Sequence, residues 1–170
     1  MEMESLYAEF HERERRSKNL LIYGIEEDTT LKTKERLIAD KQIVTSIITE
    51  ITGEDCVVST MRLGENHQTK DSSVSTNANK PRPIKVVLHN ADAVIKVLKN
   101  KNKYKGDGKI GADRTMKQRE YLRNLISQLN TETDKGVNKN KSIKYINGVP
   151  KIVDNKRNDN SNDNATVQEN

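Results

Sequence analysis

The sequence predicts an α+β fold: a four-stranded antiparallel sheet with two helices on one face, followed by a smaller helix-and-hairpin unit. Three observations predict it. Short β-prone apolar runs alternate with longer stretches of helical periodicity, in the order strand, helix, strand, strand, helix, strand. Glycines and an asparagine stand at the joints, where turns and helix ends need them. The chain has 170 residues, of which 32 % are apolar and only 4 % aromatic. That suffices for one small core with extensions, not for two full domains, and leaves part of the chain unfolded.

Residues 1–18 read as a charged helix. Leu6 and Phe10 share one face, four residues apart, and Glu and Arg fill the rest. Two apolar positions amount to the end of a coiled coil at most. The run "NLLIYGI" then gives a first strand over 20–25. Residues 31–52 are helical, with Leu37, Val44, Ile47, Ile48 and Ile51 forming one apolar stripe. Gly53 is placed to end that helix. A second strand covers 57–63, with Met61 and Leu63 alternating against Thr60 and Arg62. Residues 64–80, "GENHQTKDSSVSTNANK", have almost no apolar content and read as a flexible loop. "PRP" opens a third strand over 84–89. A second sheet helix spans 91–102, capped by Asn90, with Val94, Ile95, Val97 and Leu98 as its apolar positions. Gly106 and Gly108 turn the chain into a fourth strand over 109–112.

This order is the split β-α-β, ferredoxin-like βαββαβ pattern, covering 19–113. It leaves one sheet face open. Residues 114–153 form the second unit. A helix over 115–130 carries Leu122, Leu125, Ile126 and Leu129 on one face, with Asp113 or Thr115 as its cap. "SIKYINGVPKIV" follows as a hairpin turning at Asn147-Gly148, with Pro150 marking an edge strand. Residues 154–170 read as a disordered tail.

Several classes find no support. Cys56 is the single cysteine, so the chain can build neither an internal disulfide nor a thiolate zinc site. No apolar run reaches the length of a membrane span, and the N-terminus is too charged for a secretory signal. An intracellular protein is expected, cytoplasmic or nuclear. His11, His67 and His89 are scattered, and no carboxylate cluster suits a metal-dependent nuclease or polymerase. "KGDGKIG" lacks the phosphate-loop pattern. The expectation is a non-enzyme without catalytic residues, metal or cofactor.

What remains is charge. The net charge is +5 and the pI about 9.2, so placement matters more than total. Lys96, Lys99, Lys101, Lys103, Lys105 and Lys109 crowd the end of the second sheet helix and its turn, opposed only by Asp107. Arg114, Lys117, Arg119 and Arg123 follow, and Arg13, Arg15, Arg16 and Lys18 precede the first strand. Such groups reach phosphates without reading bases, although a charge run is also the look of an ordinary solvated face. RNA-recognition modules stack bases on aromatics of their first and third strands. Tyr23 is the one such aromatic here, either presented to a base or packed in the core, and "IKVVLH" supplies none.

The words "RRSKNLLIYGIEED", "RLG", "PRPIKVVL", "LKN" with its following "KG", "GADRTMKQRE" and "IKYINGVPKIV" occur in this order from about Arg13 to Val153. In that order they resemble the first-open-reading-frame proteins of LINE-type non-LTR retrotransposons, of invertebrate type. The resemblance implies a coiled coil, a noncanonical RNA-recognition domain and a small C-terminal domain. It implies binding of single-stranded RNA or DNA, transcript coating and nucleic-acid chaperone activity, with catalysis left to a separate endonuclease and reverse transcriptase. By position, Lys99, Lys101, Lys103, Lys105, Arg114 and Arg119 correspond to the family's binding residues; Lys117, Arg16, Lys18 and Tyr23 complete the expected site. Homo-oligomerisation is implied for the N-terminal helix, which here is a stub. The C-terminal unit is short, as in a truncated or decaying copy. The alternative is a protein-interaction module on the same fold.

Overall fold

A computed structural model describes residues 2–28, 30–64, 80–134, 140–146 and 148–155. The chain is a mixed α+β protein that divides into two compact units, Met1–Thr115 and Met116–Asn170.

The first unit opens with α1, Glu2–Arg16. Its helical register is supported by carboxylate–guanidinium pairs one turn apart, Glu9 with Arg13 at 2.6 Å and Glu12 with Arg16 at 2.6 Å. Strand β1, Asn19–Tyr23, stops at Gly24, whose φ of 81° suits a residue without a side chain. Helix α2, Thr33–Thr52, begins where the Glu35 carboxylate accepts the Lys32 N–H at 2.9 Å. It ends at Gly53, which is left-handed and donates its N–H to the Thr49 carbonyl at 2.7 Å. Strands β2, Val57–Arg62, and β3, Ile84–Leu88, follow. Helix α3, Ala91–Asn100, starts with the Asn90 side chain accepting the Ala93 N–H at 2.8 Å. A 3-10 turn, Lys101–Lys103, leads into strand β4, Lys109–Ala112.

The four strands form one sheet in the order β2-β3-β1-β4, antiparallel throughout. On β3, Ile84, Val86 and Leu88 are buried and alternate with half-buried Lys85 and Val87. In register, Leu20 faces Val86, and Ile22 lies between Ile84 and Ile110. Those side chains share one core with Val44, Ile47, Ile48 and Ile51 of α2 and Val94 and Val97 of α3. Both helices therefore cover the same face. Tyr23, Lys109, Leu21, Lys85 and Met61 are register neighbours on the other.

The second unit holds α4, Met116–Asp134, and a two-stranded sheet of β5, Lys141–Ile146, and β6, Val149–Asp154. Ile146 pairs with Val149, so the hairpin turns over two residues, and Gly148 has φ 76°. Pro150 sits on β6, which among the described residues pairs with β5 alone and so is an edge strand, where proline is tolerated.

Three expectations change. Met61 is 51 % exposed, whereas the Arg62 side chain is only 4 % exposed, so β2 has the opposite alternation to the expected one. Arg62 satisfies itself inside. Its Nε and Nη2 hold both oxygens of Asp40 at 3.0 and 2.7 Å. Nη1 donates to the carbonyls of Ile25 and Arg82, and Nη2 to that of Glu26. All five guanidinium N–H groups are used. Asp40, not Leu37, then continues the buried stripe of α2, and Leu37 is exposed. Ile95 is exposed as well. The expected loop and tail fall largely on 65–79 and 156–170, outside the described residues.

Candidate nucleic-acid interface

The lysine run follows the path of the chain from α3 to β4. Lys99 lies in the last turn of α3, Lys101 and Lys103 in the 3-10 turn, Lys105 in the following loop, and Lys109 opens β4. All five are exposed, and none has an acidic partner among the described residues. Lys96, one turn earlier, is different: its ammonium meets Glu54 at 2.9 Å. Asp107 is the one acid between 99 and 109. This end of the first unit thus presents uncompensated positive charge in water, the arrangement suited to a polyanion.

The arginines of the same unit behave oppositely. Arg13, Arg15, Arg36, Arg62 and Arg82 each meet a carboxylate. So does Arg16, an expected binding residue. Its Nε reaches Glu12 at 2.6 Å, and its Nη1 reaches Asp113 at 2.8 Å and the Arg114 carbonyl at 3.3 Å. Asp113 also accepts from the Asn19 amide at 3.0 Å. The hydrogen bond from Arg16 is the main reason Glu12 titrates below the usual carboxylate range. Arg16 therefore joins α1 to the start of β1 and the end of β4; it is not a free cation. Lys18 is exposed beside it, and Arg114 is half-buried. Lys117 and Arg119 lie in the first turns of α4 and belong to the second unit. The expected set is thus divided between the two units.

Tyr23 is 44 % exposed at the end of β1, opposite Lys109 of β4. Its ring lies on the sheet face away from the helices, which answers whether it packs in the core. Lys85, in the middle of the sheet, lies on that face too, between Met61 and Leu21. Sequence reasoning missed Lys85 because only strand register brings it there. Lys109 stood in the run but was not singled out.

Other chemistry is sparse. His11 lies 3.8 Å from Glu14 on α1, and His67 falls outside the described residues. Among the described residues no three His, Cys, Asp or Glu side chains group as a metal ion would need. Cys56 is buried, and that burial, with Asp55 and Glu54 nearby, pushes its thiol up. No described helix is long and apolar enough to cross a membrane. No family model matches this chain, and no curated protein matches it significantly.

Proposed function

We propose that this chain is a non-catalytic, sequence-tolerant binder of single-stranded nucleic acid, of the kind encoded by the first open reading frame of LINE-type retrotransposons. The observation that carries the reading is the set of lysines 99, 101, 103, 105 and 109, which have no acidic partner among the described residues, in a unit where Arg13, Arg15, Arg16, Arg36, Arg62 and Arg82 are ion-paired. Two further points support it. The strand order β2-β3-β1-β4, with both helices on one face, suits a ferredoxin-like, RNA-recognition-type domain. The word order from Arg13 to Val153 suits the same family. Binding is through phosphates, with Tyr23 offering one stacking surface. Arg119 contributes from the second unit. Coating and rearranging strands, in the manner of a chaperone, follows from contacts that ignore sequence.

The test is binding of a labelled single-stranded RNA, and of the matching DNA, across a salt series. Each neutralised phosphate adds about −0.7 to the log–log slope. The lysines 99–109 and Arg119 together give a slope between about −2 and −4, and Arg119→Ala reduces it by close to one phosphate. Folded protein that binds neither strand at low salt overturns the reading.

One observation favours a second reading, a protein-interaction role. Met3, Leu6, Tyr7 and Phe10 of α1 recur at helical spacing and are all more than 60 % exposed. Under this reading α1 pairs with a second copy, and Leu6→Glu lowers the mass measured by light scattering. A monomeric wild-type chain would sink it.

A further inference from the structure

The five exposed lysines are not equivalent in position. The chain leaves α3 through the 3-10 turn, where the Tyr104 N–H donates to the Lys101 carbonyl at 3.2 Å, and returns through Gly106-Asp107-Gly108 to β4. A cleft of about 450 Å³ opens between turn and strand, lined by Lys101, Asn102, Tyr104, Gly108, Lys109 and Ile110. Lys99, Lys103 and Lys105 do not line it. Its walls carry two ammonium groups, an amide and a phenol, with no carboxylate among them.

The glycines explain the shape. The Tyr104 ring packs against the core and lies directly on Gly106. A Cβ on Gly106 would stand 2.9 Å from the ring's Cε2, with Cζ and the hydroxyl closer still. At Gly108 a Cβ would meet Ile25 at 3.0 Å and the Tyr104 ring at 3.4 Å. At Gly106 any side chain would have to displace the ring, whereas at Gly108 a Cβ would need only a small shift of Ile25. This close turn puts Lys101 and Lys109, eight residues apart in sequence, on the walls of one cleft.

We propose that this cleft is a discrete seat for one phosphate group, held between Lys101 and Lys109, with Asn102 and the Tyr104 hydroxyl as further donors. The inference rests on the proposed function, and it replaces a diffuse positive patch with one preferred contact. The phosphate belongs either to the backbone of a bound strand or to a nucleoside monophosphate, free or at a strand end. Two cations on one anion in a partly enclosed cleft form charge-assisted hydrogen bonds, stronger than single lysines in open water.

The experiment uses the full chain, a ten-nucleotide single-stranded RNA and adenosine 5′-monophosphate. Lys101→Ala or Lys109→Ala weakens RNA binding about tenfold, and each of Lys99→Ala and Lys105→Ala less than about threefold. Gly106→Ala weakens it comparably with the charge unchanged, because the Tyr104 ring is displaced. Tyr104→Phe, which keeps the ring, serves as the milder variant should Gly106→Ala unfold, and it weakens binding about threefold. Adenosine monophosphate that binds wild type but not Lys101→Ala supports the seat for a free or terminal phosphate. RNA binding with the same lysine ranking and no monophosphate binding supports it for a backbone phosphate. Equal losses at all four lysines overturn the seat and leave the proposed function standing. If RNA does not bind wild type, the proposed function falls; monophosphate binding sensitive to Lys101→Ala would then still support the seat, and its absence would overturn that too.

Discussion

Replacing Arg62 with methionine keeps most of the side-chain volume and removes five hydrogen bonds at once. Asp40, whose side chain is 10 % exposed, would keep its charge and lose both contacts to the guanidinium. The carbonyls of Ile25, Glu26 and Arg82 would lose donors too. Removing one partner of a buried pair costs about 3–5 kcal/mol, since the other charge stays behind without compensation. That is a large part of the roughly 5–15 kcal/mol that holds a domain folded. With a urea m-value of about 2 kcal/mol per M, the midpoint falls by roughly 1.5–2.5 M with m unchanged. The double variant Arg62→Met/Asp40→Leu recovers more than half of the loss, because the stranded charge is gone. Arg62→Lys recovers little: an ammonium has three donors and no planar fork to hold a carboxylate and three carbonyls. Urea titrations followed by circular dichroism give all four midpoints. A drop below about 0.5 M for Arg62→Met, or no recovery in the double variant, would refute the reasoning.

Three smaller effects follow from the same structure. Asn90→Ala leaves the Ala93 N–H without its acceptor and costs about 1 kcal/mol, visible as a lower thermal midpoint. Glu27 titrates below its ordinary value, first because Arg82 donates to it, against the opposing effect of burial. A depressed carboxylate stabilises the fold above its unfolded pKa of about 4.3, and that contribution is lost as pH falls through the folded value. Glu27→Gln should therefore lower the urea midpoint at pH 7 and narrow the difference between pH 7 and pH 3. Cys56, with its thiol pushed up by burial, should react with a thiol reagent at neutral pH far more slowly than in urea-unfolded chain; equal rates would contradict its buried position.

The helices were legible because their buried positions are apolar and recur with the turn. Val44, Ile47, Ile48 and Ile51, and Val94 with Val97, all lie where periodicity put them. The caps at Gly53 and Asn90 were legible for a local reason, since their partners lie within four residues. Strand β2 misled because alternation treats arginine as outward. A guanidinium can turn inward when every donor finds an acceptor, and those acceptors come from three other places in the chain. The same exchange hid Asp40 and promoted Leu37. In the candidate site the lysine run was legible because it is contiguous. The role of Arg16 was not, because Asp113 lies ninety-seven residues away. Lys85 needs the pairing of three strands before it can be placed beside Leu21 and Met61.

The lysine-lined end of the first unit also bears on the chain's own folding. Five like charges within eleven residues, with Asp107 alone against them, repel one another. Small ions shorten that repulsion to the Debye length, about 10 Å at 0.1 M. Salt consequently eases the repulsion within this turn while it weakens the exposed ion pairs of Arg13 and Arg15 and loosens a bound polyanion. The ionic strength at which RNA no longer raises the urea midpoint then marks where screening has removed the lysines' hold on phosphate.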